Sequence, residues 1–547
     1  MHSENKPYQS TPTSKIPADG LKGLKENGFG DLISGFTIFL IALPLSVGIA
    51  LASGAPPTAG ILAAIVGGIL GSLLGGSYLT INGPAAGLIV IVAGAIQDLG
   101  QGDAISGFKR MLATVVVAGA LQILFGVLRF GILGVGVPGS VIHGMLTAIG
   151  VIIMAKQFHI ALGVVPDGKD IISLITEIPR SIQHLNPEVA LIAAVAFIII
   201  LSFKSAKGSW TRYAPAPLAV VIVSIGLGHL FDFEHAHLVT SHWLSLEVGP
   251  KLLLNLPQNL ASALVLPDFS MIFSVTSVRY IVMLALVGSI ESLLSANAVD
   301  RMDHYKRTSN LDKELMSKGL CNMVSGMIGG LPIIAEMVRS SANIRNGART
   351  RWSNFFHACF ILSFLIFFPS ILHEIPMAAL AAILISVGYS LANPVQFLQT
   401  ARVGRDHFAA FITTFVVTIF SDLLIGVFAG LLVEVIFNLA RGAGIRNLFR
   451  VDAEENHHDS QVTIKVNSPL TFTNYLSLKK RIETLGEKGA LVLDLSASSV
   501  VDHTSLDGLS RFQNDKNGKL VRVDFSEHHR AVSRHPLAAR KRNKKTR

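Results

Sequence analysis

Cysteine is nearly missing from this chain of 547 residues: Cys321 and Cys359 are the only two, both within or beside apolar runs. A disulfide framework or a cysteine metal centre therefore has no material to build on, and both residues read as small packing groups. Charge is scarce too. Charged residues make up 15% of the chain against roughly 25% in an ordinary soluble protein, half the residues are hydrophobic, and mean hydropathy is +0.53. This composition describes a polytopic membrane protein. No nucleophile elbow, HExxH pair, Walker loop or dinucleotide fingerprint occurs, which removes support for a membrane enzyme or an ATP-driven pump. Work done across the membrane must then draw on an ion gradient. A cleavable leader is not expected either. Residues 1–30 are polar, and the first apolar run, 32–52, is as long as a full span of about 20 residues, so the amino terminus is expected in the cytoplasm.

What charge there is reports topology. The formal net charge of +10 is spread between hydrophobic segments and piled at the C-terminus, so nucleic acid is not expected as a partner. Apolar runs near 32–52, 57–76, 78–98, 111–129, 132–155, 187–203, 214–231, 279–299, 313–331, 333–349, 354–372, 376–392, 406–421 and 423–440 give about fourteen spans. With the amino terminus inside, segments 204–212, 301–318, 345–351, 402–405 and 441–450 fall in the cytoplasm and are rich in Lys and Arg. The long outer loops, 156–186 and 232–277, are mixed in charge and carry His235, His237 and His242. An even span count returns the carboxyl end to the cytoplasm.

Two of these runs are interrupted. GGSYLTINGPAAGLIV from Gly75 and GGLPIIAEMVRSSANI from Gly329 each open on Gly-Gly, pass through a short β-prone stretch and become helical only well inside the hydrophobic region. Irregular backbone at membrane depth must line a cavity. The exposed N–H groups at a half-helix start suit an anion. The Gly-Gly pairs are 254 positions apart, while Pro44 in the first span and Glu291 in the eighth are 247 apart, which implies a seven-plus-seven repeat. Seven is odd, so the second copy is inverted and the third members of the two halves meet near the midplane.

The candidate residues follow from these breaks. At the first, Asn82, Gly83, Pro84 and Ala85 suit a helix start where Pro has no N–H to waste and small residues admit a ligand close to the backbone. At the second, Arg339 in the first turns adds its cation to the dipole, and Ser340 and Ser341 offer hydroxyls to oxyanion oxygens. Glu336, three positions before Arg339, either tempers that charge or merely neutralises it as an intrahelical pair. Glu291 is the acid near the middle of its span. It reads as a coupling group that carries a proton or holds sodium, with Ser292 and Ser295 as oxygen donors, or as a buried ion pair with Arg339. His143, His229 and His357 lie in or at the ends of apolar helices without a second ligand at metal spacing, so packing or helix-end roles are expected and no metal is. Glu434 and Asp422 lie near span ends, where solvation is the simpler account, and 454–459 reads as a polar linker.

After residue 450 hydropathy falls and a small α/β pattern begins. It runs strand VTIKV at 462, helix 475–485, strand ALVLDL at 490, a helix from Ser505 and strand KLVRVDF at 519. The domain plan is a cytoplasmic tail at 1–30, a transmembrane domain at 31–441, a linker at 442–460, and a soluble domain with a basic tail at 461–547. That tail reads as a basic helix, as an arm touching anionic membrane lipid, or as a solvated extension.

These stretches together resemble the SulP family of anion permeases, the bacterial relatives of the animal sulfate, bicarbonate and chloride exchangers. The matching segments are GDLISGFTIFLIALPLSVGIALASG from Gly30, INGPAAG from Ile81, IESLLSANAVDR from Ile290, and GGLPIIAEMVRSSANIRNGART from Gly329. The resemblance implies fourteen spans divided into core and gate subdomains, an anion between the third and tenth spans, and a coupling cation near the eighth. By motif the acidic coupling position falls on Glu291 and the anion-site arginine on Arg339. The C-terminal part resembles a STAS domain, whose diagnostic loop here is VDHTSLDGL from Val501. His503 stands where the anti-sigma antagonists carry a phosphorylated serine, with Thr504 and Ser505 adjacent, and the region after Phe525 is short for the domain's last helix. A homodimer and a cytoplasmic regulator acting through that domain are further implications. The expected function is secondary active transport of a small inorganic oxyanion, sulfate or bicarbonate, across the inner membrane by proton- or sodium-coupled symport, with no cofactor. An uncoupled anion channel or exchanger and a STAS-linked anion sensor are the alternatives.

Overall fold

The computed structural model describes residues 16–132, 137–168, 171–205, 215–241, 244–254, 264–421, 423–448, 450–458, 461–486, 490–513, 520–527 and 529–542. Asp422, His242, Asp459 and most of 204–212 lie outside the described residues.

Helices answer each apolar run. In the first half these are α1 Gly20–Ala52, α2 Pro57–Leu74, α3 Ile89–Gly100, α4 Ala104–Val127, α5 Gly139–Ala161, α6 Ile171–Gln183, α7 Pro187–Ser205 and α8 Ala216–Leu230. The second half carries α9 Val275–Met302, α10 Leu311–Ile328, α11 Met337–Arg345, α12 Trp352–Phe367, α13 Met377–Leu391, α14 Pro394–Val403, α15 Arg405–Phe420 and α16 Leu423–Ala440. Seven helices in the described residues have the length and hydropathy of a full span, and the segments at 86–100, 216–230 and 352–367 are shorter apolar helices. Local chemistry sets the ends. Asp103 accepts from the amides of Ile105 and Ser106 to start α4, Ser274 accepts from Ser277 to start α9, and Gly329, at φ +95°, closes α10 in the left-handed region.

The two halves interleave. α4 packs on α10, while α1 and α2 pack on α12, forming one bundle of α1–α4 with α9–α12. α5 packs on α13 and α15, and α7 on α13, forming a second bundle. Glycines set both crossings. A Cβ on Gly119 of α4 would lie 2.5 Å from the Gly319 carbonyl of α10, and one on Gly150 of α5 would lie 2.5 Å from that of Gly388 of α13. Such close backbone approach is how membrane helices gain packing that the hydrophobic effect does not supply there.

Several boundaries differ from expectation. α1 begins at Gly20, inside the stretch assigned to a cytoplasmic tail, because Asp19 caps it and Arg351 holds Asp19 at 2.8 Å. The outer loop 156–186 contains α6, whose apolar face leaves Leu174 and Ser181 buried, and loop 232–277 contains the hairpin β2 His237–Ser241 with β3 Leu244–Val248. The expected linker is partly structured: Ala453–His458 forms β5, an edge strand that pairs antiparallel with β6 Gln461–Val466.

The C-terminal domain has the sheet order β5-β6-β7-β9, with β7 Ala490–Asp494 and β9 Leu520–Asp524 parallel to β6 in turn. Helices α17 Tyr475–Gly486 and α18 His503–Gln513 follow β6 and precede β9, and the core includes Ile464, Tyr475, Leu478, Ile482 and Leu493. This arrangement fits a STAS domain. The described part of the tail is neither a helix nor a loose arm. β10 His529–Ala531 and β11 Arg540–Arg542 form a hairpin closed onto β8 Val500–Val501, with the Arg540 guanidinium 4.1 Å above the Phe525 ring.

Candidate functional site

The two interrupted segments pair with each other. β1 Ile81–Pro84 and β4 Ile333–Glu336 form an antiparallel ribbon in the register Ile81 to Glu336, Asn82 to Ala335, Gly83 to Ile334 and Pro84 to Ile333, and all eight residues are buried. This satisfies backbone groups that lipid would leave bare. α3 and α11 leave from opposite ends of the ribbon. The unwound backbone beside it is held by side-chain amides. Asn354 of α12 accepts from the Asn82 amide at 3.2 Å and donates to the Gly67 and Gly68 carbonyls. Asn322 of α10 accepts from the Ile333 amide at 2.5 Å and donates to the Ile333 carbonyl and to Gln122. Ser340 ties the halves together: its hydroxyl accepts from the Ile81 amide at 2.8 Å and donates to the Glu336 carbonyl.

Arg339 sits at this junction with 0% exposure. Its Nε is 3.7 Å from a Glu336 carboxylate oxygen, and none of its three nitrogens has a hydrogen-bond partner among the described residues. The guanidinium reaches across to the other half because Gly83 lacks a side chain. A Cβ there would lie 2.6 Å from Nη1. Four positions on, Gly87 plays the same part for Glu291: a Cβ would lie 1.9 Å from Oε1, a buried oxygen without a hydrogen-bond partner among the described residues. The chain from β1 into the following turn thus meets a cation at Gly83 and a carboxylate at Gly87. No ion pair joins Glu291 to Arg339 among the described residues, which goes against the expected alternative of a structural pair.

The remaining expected site residues fall around this centre. Ser292 accepts from the Ala335 amide at 3.3 Å, so it braces the second break. Ser295 is buried on the same helix, and Pro84 and Ala85 are buried at the end of β1. The Asn82 side chain packs against α2, where a Cβ on Gly71 would meet its Nδ2 at 2.3 Å. Ser341 turns away: its hydroxyl donates to the Val338 carbonyl of its own helix at 2.8 Å.

Four residues carry more than their sequence contexts suggested. His357 is fully buried, and neither ring nitrogen has a hydrogen-bond partner among the described residues. Asn354 and Asn322 carry the scaffold, and only the resulting contact identifies them, since Asn354 and Asn82 lie 272 positions apart. Glu434 is not solvated. It is 6% exposed, accepts from Ser140 at 2.8 Å and lies 3.3 Å from His407 Nδ1.

Open space lies beside the start of α11 on the side that carries the C-terminal domain. A cavity of about 680 Å³ runs from Leu294, Ala298 and Met337 to His407 and His503, and Met337 and Val338 at the start of α11 are about half exposed. The C-terminal domain docks on the second bundle here. The His407 and His503 rings lie 4.4 Å apart, Asn438 of α16 donates to Asp502 at 3.4 Å, and Ser533 donates to the Val403 carbonyl at 2.7 Å.

Comparison with known proteins agrees with this architecture. Residues 29–416 match the profile of the sulfate permease family. YvdB of Bacillus subtilis, described as a candidate sulfate transporter, is 28% identical over 90% of this chain and 91% of its own. The bicarbonate transporter BicA of Synechocystis is 26% identical over 85% of this chain and 82% of its own. Among solved structures, the transmembrane domain of a cyanobacterial bicarbonate transporter BicA superposes with a TM-score of 0.62 and 26% identity, covering 74% of this chain and 97% of that one. The overall structure of SLC26A9 gives 0.67 at 16% identity over 92% and 84%, a likeness of fold.

Proposed function

The chain belongs to the sulfate permease family, a multi-pass anion transporter family, and from that premise we propose that it is a secondary active transporter of a small inorganic oxyanion, sulfate or bicarbonate, coupled to proton or sodium entry at Glu291. One observation carries the reading: a buried guanidinium with three unpartnered nitrogens, brought against the backbone of the opposite repeat at Gly83. A buried donor left unsatisfied is costly, and an oxyanion accepting from it removes that cost.

Charge supports the coupling. Arg339 shares its surroundings with two buried carboxylates, Glu336 and Glu291, and Glu291 lies within reach of the Glu336 charge. With all three ionised the group is net negative and repels an anion. A proton or sodium ion at Glu291 restores neutrality and lets the anion in. Coupling is also needed energetically, because a negative interior opposes each anionic charge by about 2.3 kcal/mol per 100 mV. The motion is rocking of the α1–α4/α9–α12 bundle, the core, against the other, the gate, around the ribbon. In this reading the C-terminal domain and both termini lie in the cytoplasm of an inner-membrane protein. Its partners are the anion, membrane lipid, a second copy of the chain and a cytoplasmic regulator bound through that domain.

The test is uptake of labelled sulfate and bicarbonate into proteoliposomes with proton and sodium gradients imposed separately. Concentrative uptake of one anion driven by one cation, lost in Glu291→Gln, is the expected result. Gradient-driven uptake that survives in Glu291→Gln overturns the coupling role. Single-channel currents without concentrative uptake favour a channel, and binding without flux favours a sensor.

A further inference from the structure

A second cation bridges the two bundles on the side opposite the C-terminal domain. Lys156 is on α5 of the gate, and its ammonium donates at 2.8 Å to the carbonyl of Ala52, the last residue of α1 of the core. The acceptor is one that a helix end leaves free: Ser53 and Gly54 turn back to Ile49, Ala50 and Leu51, and the Ala52 carbonyl is left for the lysine. The negative end of the α1 dipole adds to the attraction. Lys156 also lines a cavity of about 550 Å³, and among the described residues that line it Lys156 is the sole charged side chain. Ile89, Ala93 and Gln97 of α3 line the same cavity. That helix begins two residues beyond Gly87, and the cavity runs along it from its first turn.

We propose that Lys156 forms an outer docking site for the transported oxyanion, closed in this conformation by the α1 end and opened when the core moves against the gate. The inference rests on the alternating-access reading above. The Lys156 bond to the core spans the two bundles, and a carbonyl fixed to one and an ammonium fixed to the other cannot stay 2.8 Å apart when the bundles shift. Once released, the ammonium sits in an apolar cavity with no carboxylate lining it, and an entering anion supplies the missing charge. Lys156 then receives the anion at the far mouth and Arg339 holds it at the centre. A mere helix cap predicts something different: loss of stability without a change specific to one face.

The experiment compares sulfate and bicarbonate kinetics of the full chain from each face, in right-side-out and inside-out vesicles, for wild type, Lys156→Gln and Lys156→Arg. Gln keeps a donor for the Ala52 carbonyl and loses the charge; Arg keeps the charge. Lys156→Gln is expected to raise KM about tenfold at the far face, the scale of one charge-assisted hydrogen bond. KM at the C-terminal-domain face should stay unchanged, and Arg should restore the far-face value. Equal changes at both faces, or none, overturn the site, as does a Lys156→Arg protein that folds yet matches Lys156→Gln. Wild type without flux of either anion refutes the transport reading instead. Equilibrium binding of labelled sulfate and bicarbonate to the same purified proteins then decides the site: weaker binding in Lys156→Gln upholds it, and equal binding overturns it.

Discussion

Adding one methyl at Gly87 separates the work of the site from the work of the scaffold. An alanine Cβ would stand 1.9 Å from Glu291 Oε1 and 2.5 Å from its Cδ, where ordinary contact begins at 3.4 Å. The carboxylate must retreat by roughly 1 Å or more, and as the end of a side chain it has the freedom to do so at about 0.5–1.5 kcal/mol of rotamer strain. Gly60→Ala is the contrasting control, because its Cβ would lie 2.0 Å from the backbone carbonyl of Ser46, which only a shift of α1 against α2 relieves. Overpacking of that kind costs typically about 1–3 kcal/mol. Gly87→Ala should therefore melt close to wild type while its cation-driven anion uptake drops by up to about 100-fold, the scale expected when a reacting group moves by 1 Å. Gly60→Ala should lose stability. The assay is initial uptake per reconstituted protein, with thermal unfolding in detergent. Wild-type coupled uptake by Gly87→Ala, or instability equal to that of Gly60→Ala, refutes the placement of Glu291.

Three other expectations follow from the geometry. Arg339→Gln leaves the Glu336 carboxylate, 3.7 Å from Nε, buried without its counter-charge, so without anion it should melt below wild type, the loss being about 3–5 kcal/mol, and it should also lose the stabilisation of about 2.7 kcal/mol that wild type gains at a hundredfold excess over Kd; an anion titration of the melting temperature checks both halves. Asn354→Ala frees the Asn82 amide and two carbonyls in the bundle interior, which should cost about 1–3 kcal/mol, read as a lower midpoint in chemical or thermal unfolding. Burial, with the Glu434 charge adding to it, pushes the Asp502 carboxyl from 3.8 up to about 6 against the amides of Ser505 and Phe472 that lower it. The neutral form is thus favoured on folding: its contribution is complete below pH 3.8 and lost as pH rises through about 6. Asp502→Asn should flatten the pH dependence of the C-terminal domain's unfolding midpoint between about pH 4 and 6.

The membrane fold was legible because lipid forces its rules onto local sequence. Apolar run length, Gly-Gly interruptions at Gly75 and Gly329, and a lone acid at Glu291 are visible without any tertiary contact, and the ribbon formed by Ile81–Pro84 and Ile333–Glu336 realises the pairing that the repeat spacing implied. Gly87 was not legible, since a glycine that yields space looks like any small residue until the Glu291 carboxylate is seen against it. Asn322 and Asn354 are of the same kind: polar residues in apolar runs whose partners are breaks in other helices. Glu434 shows the limit of arguing from span ends, where depth in the bilayer and burial in protein differ. The tail was misread as a helix or arm because two strands of three residues, His529–Ala531 and Arg540–Arg542, carry too little pattern to be seen before β8 gives them an edge to join.

The most direct measurement is a structure determined with whichever anion the uptake assay identifies. Anion density within hydrogen-bonding distance of the Arg339 guanidinium, against the Gly83 backbone and beside an intact ribbon, is the predicted result. Density for a transported anion elsewhere along the route, with the three Arg339 nitrogens still unpartnered, contradicts the account.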